Sequence, residues 1–148
     1  MKRNSTAEAT ELVNRTVFPV RFSEVDTMRI VWHGHYIKYM EEGREAFGLE
    51  HGISYMQMYD KGFMVPVVSV KCDYKQPLRY GDKIIVETTF VETRAAKLIY
   101  KFRLFRSSDN VLVATGKSIQ VFITEDHELQ LTFPEFFEEW KREKGLIK

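Results

Sequence analysis

Asp26 and His33 stand seven residues apart in the stretch FSEVDTMRIVWHGHYIKYMEEGREAFG, which runs from Phe22 to Gly48. The stretch begins as the end of a strand, carries Asp26 through a loop and turns helical at about His33. The residues placed to cap that helix, Ile30, Val31 and Trp32, include no Ser, Thr, Asp or Asn, the types whose side chains usually satisfy the first orphan N–H groups. Aligned donors and a partial positive charge at a helix start can instead hold a water or a ligand oxygen. An ordinary Asp is ionised at neutral pH. The junction therefore sets a carboxylate before a row of donors, and chemistry is expected there.

Each of these residues also has a plainer reading. Asp26 alone is a turn acid, and His33 is equally a capping or packing histidine. His33 and His35 look like a metal pair, but residues two apart on a helix face nearly opposite ways. With a single cysteine, Cys72, and no other clustered ligands, no metal site is expected. Tyr36 and Met40 read as core or pocket lining, and Glu41 and Arg44, three apart, as a pair along the helix.

The elements that must position the junction follow from periodicity. Tyr36, Met40, Gly43 and Phe47 form one helical stripe flanked by Ile37 and Ala46, while Lys38, Glu42 and Glu45 point away. Gly43 within that stripe costs roughly 1 kcal/mol against Ala, which marks close approach to a sheet. Gly48 is expected to end the helix. Before it, NRTVFPVRF alternates with Phe18, Val20 and Phe22 on one face, and Pro19 suits an edge strand. After it, GISYMQMYDKG reads as a short helical turn and loop, and FMVPVVSVKCDYKQP as a strand whose first half is buried on both faces. PLRYGDK is a turn punctuated by Gly81 and Asp82. KIIVETTFVETR then sends Ile84, Val86, Thr88 and Phe90 inward, and KLIYKFRLFR does so with Leu98, Tyr100, Phe102 and Leu104. SSDN at 107–110 is a hairpin turn into VLVATGKSIQVFIT, and the short connections make the meander antiparallel. FPEFFEEWKREK, at about 134–144, reads as a C-terminal helix with Phe136, Phe137 and Trp140 on its apolar side.

The order is that of an α+β domain with a single sheet. One helix covers one face of a five-stranded sheet, so the other face or an edge is expected to meet a partner chain. The 148 residues suit one domain, and 22 Lys plus Arg against 21 Asp plus Glu leave a net charge of +1. That balance gives no field to recruit nucleic acid or an anionic membrane. No apolar run approaches the roughly 20 residues of a membrane span. MKRNSTAEATELVN has no apolar signal region, so a cytoplasmic location is expected. Residues 1 to about 13 are polar and expected to fray. An aromatic content of 14% fits a core shared with a second subunit. The outward basic residues, among them Lys71, Lys75, Arg79, Lys101, Arg103, Arg106 and Lys117, read as solvated surface from which a few could hold phosphates.

The spaced pattern D-x-x-x-x-[VI]-[WY]-H-x-x-Y-x-x-x-x-E, present as Asp26, Val31, Trp32, His33, Tyr36 and Glu41, resembles the signature of the hot-dog-fold acyl-CoA thioesterases of the 4-hydroxybenzoyl-CoA thioesterase type. VVSVKCDYKQPLRYGDKIIVET and VLVATGKSIQVFI also resemble strands of that family, and the similarity covers about residues 14–124. The resemblance implies a five-stranded antiparallel sheet wrapped around one long central helix, with the C-terminal helix as an extra. It implies a homodimer or homotetramer whose sites lie between subunits, and an acyl-CoA substrate with no other cofactor. On it, Asp26 is nucleophile or general base and the N–H near His33 polarises the thioester carbonyl. Trp32, Tyr36 and Met40 are then candidate substrate contacts, with Glu41 supporting them from behind. A fatty or aromatic acyl-CoA would be hydrolysed to the free acid and CoA. An acyl-carrier-protein thioesterase and a non-catalytic acyl-CoA binder are the alternatives, and a hot-dog dehydratase is disfavoured because no facing His and acid motif stands out. The chain departs from the family's pattern in Glu24-Val25-Asp26, in Met28 and Arg29, and in His35 where Asn is usual, which bears on the acyl group that fits.

Overall fold

The computed structural model describes residues 11–148; the frayed N-terminus expected above falls largely on residues 1–10, which lie outside the described residues. Strand β1 (Val13–Pro19) leads through a short 3-10 turn at Phe22–Glu24 and a loop into helix α1 (His35–His51) and the short α2 (Tyr55–Asp60). Then come β2 (Phe63–Met64), β3 (Val67–Tyr74), β4 (Lys83–Val91), β5 (Lys97–Arg106), β6 (Val111–Val121), β7 (Ile123–Thr124) and α3 (Glu135–Glu143). The main sheet has five strands in the order β1-β4-β5-β6-β3, every neighbouring pair antiparallel. β2 and β7 pair as a small separate ribbon. The α+β architecture expected from the sequence is the one observed.

The alternation in β4 and β5 does what its pattern requires. Ile84, Val86, Thr88 and Phe90, and Leu98, Tyr100, Phe102 and Leu104, are all buried, and α1 lies across this inner face against β1, β4, β3 and β5. Tyr36, Met40, Gly43 and Phe47 are buried as the stripe requires, and Tyr39 and Gly48 are buried beside them. Gly43 sits where a Cβ would come within 2.5 Å of Val86 Cγ1 and 2.6 Å of Thr88 Oγ1. The chain closes over the far end of the core with α3, whose Phe137 meets Phe90 and Phe122 at tilted angles and whose Trp140 meets Phe90 edge-on. Trp140 Nε1 donates to the His51 carbonyl at 2.6 Å. Buried Lys141 donates to the Thr93 carbonyl at 3.1 Å, pairs with Glu92 at 2.9 Å and lies over the Phe133 ring.

Several local expectations are corrected. Phe22 does not continue the inward face of β1: the strand ends at Pro19, the backbone turns, and Phe22 is 77% exposed against Tyr80. Helix α1 begins at His35 rather than His33, because Trp32 and His33 form a turn held by His35 N–H to the Trp32 carbonyl at 3.0 Å. Gly48 lies within the helix, packed on the Ile53–Ser54 backbone, and Gly52 at φ +87° is the residue that ends it. Pro66 divides the expected long strand into β2 and β3. The first half of β3 is not buried on both faces: it is an edge strand with one neighbour, leaving Val68 59% and Val70 42% exposed.

Substituting Gly43→Ala should lower stability by roughly 1–3 kcal/mol by overpacking against Val86 and Thr88. Urea unfolding checks it, with a lower midpoint at an unchanged slope as the expected outcome.

Candidate functional site

The loop before α1 is built by its own backbone. Asp26 N–H donates to the Ile30 carbonyl at 2.9 Å and Arg29 N–H to the Asp26 carbonyl at 2.9 Å, closing a tight reversal that pairs Val25 with Val31. Arg29 takes the left-handed conformation at φ +67° that this reversal needs. Asp26 Oδ1 accepts the Met28 N–H at 2.8 Å in an Asx turn. That bond fixes the direction of the carboxylate.

Two further strands of support hold the loop against the sheet. Val31 N–H donates to the Leu78 carbonyl at 2.8 Å, and Trp32 N–H to the Glu24 carbonyl at 3.0 Å. Glu24 is itself buried, its Oε1 accepting from the Tyr39 hydroxyl at 2.9 Å and from the Arg21 N–H at 2.8 Å. Burial, and then the hydrogen bond and charge of Glu24, push the Tyr39 phenol well above its ordinary range, so it stays a donor. On the other side the Tyr74 hydroxyl donates to the His33 carbonyl at 2.8 Å. Burial of its hydroxyl end and then neighbouring Cys72 push this phenol up to about 12, which keeps that donor protonated as well.

The start of α1 has no side-chain cap. Its cap position is Gly34, over which the Trp32 indole lies so closely that no Cβ would fit. His35 and Tyr36 donate to the Trp32 and His33 carbonyls. Among the described residues, the N–H groups of His33 and Gly34 have no hydrogen-bond partner. The donors left open are therefore those of the turn just ahead of the helix, displaced from the Ile30–Trp32 caps that the sequence suggests.

A cavity of about 280 Å³ lies at this junction, lined by Asp26, Met28, His33 and Tyr36 and by Tyr74 and Lys75 from the end of β3. Tyr36 stacks edge-on against Tyr74 with ring centroids 5.0 Å apart, and burial raises its phenol above the ordinary range. Of the residues singled out in the sequence, Asp26, His33 and Tyr36 meet around this cavity. Trp32, Met40 and Glu41 do not line it. Trp32 is 49% exposed beside His33 and His35. Met40 is 1% exposed, with its Sδ over Gly116 in the core. Glu41 lies with Arg44 on a second cavity, near the other end of β3. Among the described residues no group of three His, Cys, Asp or Glu is placed to hold a metal ion. Tyr74 was not singled out from the sequence, and Glu24 was noted only as a departure from the family's pattern. Pairing of Tyr74 with buried Ala114 places it on the inner face of the sheet. Chemically, the cavity brings a carboxylate held in an Asx turn together with His33, whose N–H has no partner, among aromatic and apolar side chains.

The sequence profile of the Thioesterase-like superfamily matches residues 20–141. Among curated proteins, YneP of Bacillus subtilis, provisionally named an acyl-CoA thioesterase, is 29% identical over 128 residues, covering 86% of this chain and 92% of its own. A DHNA-CoA thioesterase from Staphylococcus aureus superposes with a TM-score of 0.80 at 26% identity, covering 90% of this chain and 92% of that one. A 4-hydroxybenzoyl-CoA thioesterase mutant bound to 4-hydroxybenzoyl-CoA shares the fold with a TM-score of 0.76 at 20% identity, over 87% of this chain and 98% of that one. At that identity the likeness is one of hot-dog fold alone.

Tyr74→Phe should loosen the turn before α1. Amide hydrogen exchange at His35 and Tyr36 is expected to quicken by about 2- to 10-fold, the equivalent of one net hydrogen bond.

Proposed function

The chain belongs to the thioesterase-like superfamily, and from that premise we propose that it hydrolyses the thioester of an acyl-CoA at the junction of Asp26 and the start of α1. The observation that carries this reading is that one cavity is lined by Asp26, its carboxylate held by the Met28 N–H, and by His33, whose unpartnered N–H adjoins that of Gly34. Hydrolysis of a thioester needs those two parts. The carbonyl oxygen, which gathers negative charge as the carbon becomes tetrahedral, is received by the N–H groups of His33 and Gly34. Asp26 either takes the proton of the attacking water or attacks the carbonyl carbon itself, and CoA departs as the thiol while the acid is released. Tyr36 and Tyr74 form the apolar wall along which the acyl group and pantetheine arm lie. The reaction draws on no cofactor beyond the CoA of the substrate.

We further propose that the active unit is a dimer paired through β3. That strand ends the sheet with an open row of backbone groups, and Val68 and Val70 leave its side chains apolar as well as exposed. An isologous antiparallel pairing of two such edges would make a continuous ten-stranded sheet. The hydroxyaryl-CoA named for the S. aureus relative and the acyl-CoA named for YneP define the substrates to try first. Acyl-carrier-protein thioesters are the nearest alternative.

Asp26→Asn should lower kcat on a panel of aliphatic and aromatic acyl-CoAs by about 10²- to 10⁴-fold while leaving the fold intact. Retention of full turnover by this variant, or no turnover by the wild-type protein on the whole panel, would sink the reading, the latter in favour of a binder. Val70→Lys should shift the sedimenting species from dimer to monomer and remove activity together with it; a dimer that survives the charge would reject pairing through β3.

A further inference from the structure

The second cavity, of about 240 Å³, lies between α1, α2 and the inner faces of β5 and β6, beside Val65–Val67. Ile53, Met58, Val67 and Leu98 give it apolar walls, Glu41, Glu45, Tyr55 and Tyr100 also line it, and two further polar residues, Arg44 and Gln120, stand out by what they lack. Arg44 is half-buried and in no ion pair within 4.0 Å among the described residues. Burial lowers its pKa, against the opposing charges of Glu41, Tyr100 and Glu45. Gln120 is 5% exposed. Its Nε2 donates to the Val65 carbonyl at 2.7 Å, while its Oε1 is buried without a partner. The amide cannot simply be turned over, since that would set Oε1 against the Val65 oxygen. The cavity wall thus contains a buried acceptor that lacks a donor, and an arginine that forms no ion pair within 4.0 Å although Glu41 and Glu45 line the same cavity. A hydroxyl group carries the complement of each, an O–H for an amide oxygen and lone pairs for a guanidinium.

This cavity and the one at Asp26 flank opposite ends of β3, at Val67 and at Tyr74, on the same inner face of the sheet. Antiparallel pairing of β3 with its copy, about an axis perpendicular to the sheet, sets the Tyr74 end of one strand beside the Val67 end of the other. The Asp26 cavity of one protomer then adjoins the Gln120 cavity of its partner. Each alone is smaller than the roughly 300–1,000 Å³ of a self-sufficient ligand pocket, and joined they fall within that range. We infer that Arg44 and Gln120 of one protomer determine acyl specificity by binding a hydroxyl on the acyl group whose thioester lies at Asp26 of the other. The inference rests on the thioesterase reading and on pairing through β3.

The test uses a matched pair of aryl-acyl-CoAs, with and without a ring hydroxyl, and thioether analogues of both that cannot be hydrolysed. Wild-type protein should favour the hydroxylated ester in kcat/KM by about 10-fold or more, since the parent leaves Gln120 Oε1 unsatisfied. Gln120→Leu should bring that ratio near one while keeping turnover of the parent ester, and Arg44→Met, at a less buried position, should move it the same way. A mixed dimer of Asp26→Asn and Gln120→Leu chains decides which protomer contributes. It contains one intact composite site if Gln120 acts across the interface, so its residual activity should be selective. Residual activity without selectivity would overturn the assignment to the partner. Equal hydrolysis of both esters by the wild type, or an unchanged ratio in both variants, would overturn the inference and leave water as what Gln120 binds. If neither ester is turned over, the thioesterase reading fails by itself. Discrimination between the two thioethers by calorimetry, lost in Gln120→Leu, then still decides for or against the hydroxyl site.

Discussion

The close approach of α1 to β4 at Gly43 is the contact on which the rest of the molecule depends. Because no Cβ intervenes, the helix backbone settles onto Val86 and Thr88, and the height of the helix over the sheet is fixed. Gly116 repeats the device on β6, giving its space to the Met40 thioether. With the helix axis set by these two glycines, its first turn has to arrive where Tyr74 and Leu78 wait at the sheet margin. The loop carrying Asp26 is then spanned between two anchored ends. A looser helix would leave the carboxylate and the turn N–H groups free to drift apart, and the preorganisation that gives such donors their value would be lost.

Much of this was legible in the residues. The stripe Tyr36, Met40, Gly43, Phe47 was readable because a helix on a sheet must bury one face, and the alternation in β4 and β5 because a one-sided sheet must do the same. Asp26, His33 and Tyr36 could be grouped because the family signature spaces them. What escaped was set by tertiary context. Phe22 follows the strand's alternation in sequence, but the chain has already turned. Gly48 looks like a helix end, yet it serves the packing of Ser54, and the left-handed position falls four residues later at Gly52. Val68 and Val70 read as buried because the pattern records that they are apolar and not that their strand lies at the sheet's edge.

The outer face of the sheet follows a different rule. Arg15, Glu87 and Arg103 fall in one cross-strand row, with both guanidinium groups on the Glu87 carboxylate at 2.8 Å and 2.7 Å. The neighbouring row sets Lys71, Lys117 and Lys101 side by side across three strands. Like charges directly opposite one another oppose pairing, so this row is tolerated because water screens it, in keeping with a solvated face. It also makes a poor surface for a second copy of the same sheet to stack upon. The face that can accept a copy is thereby narrowed to the edge.

At that edge the support of the Asp26 junction and the open side of the sheet meet. β3 supplies Tyr74 to hold the turn that presents the His33 and Gly34 donors, and the same strand carries the unpaired backbone that invites a second chain. A lone protomer would leave this edge open with Val68 and Val70 exposed on it, and folded proteins generally cover or charge such edges. In the proposed dimer a second copy would cover it, keep the inner faces on one side and bring residues from the far end of the partner's strand to the cavity at Asp26. Assembly and the enclosure of the thioester would then be one event, because a single strand provides for both.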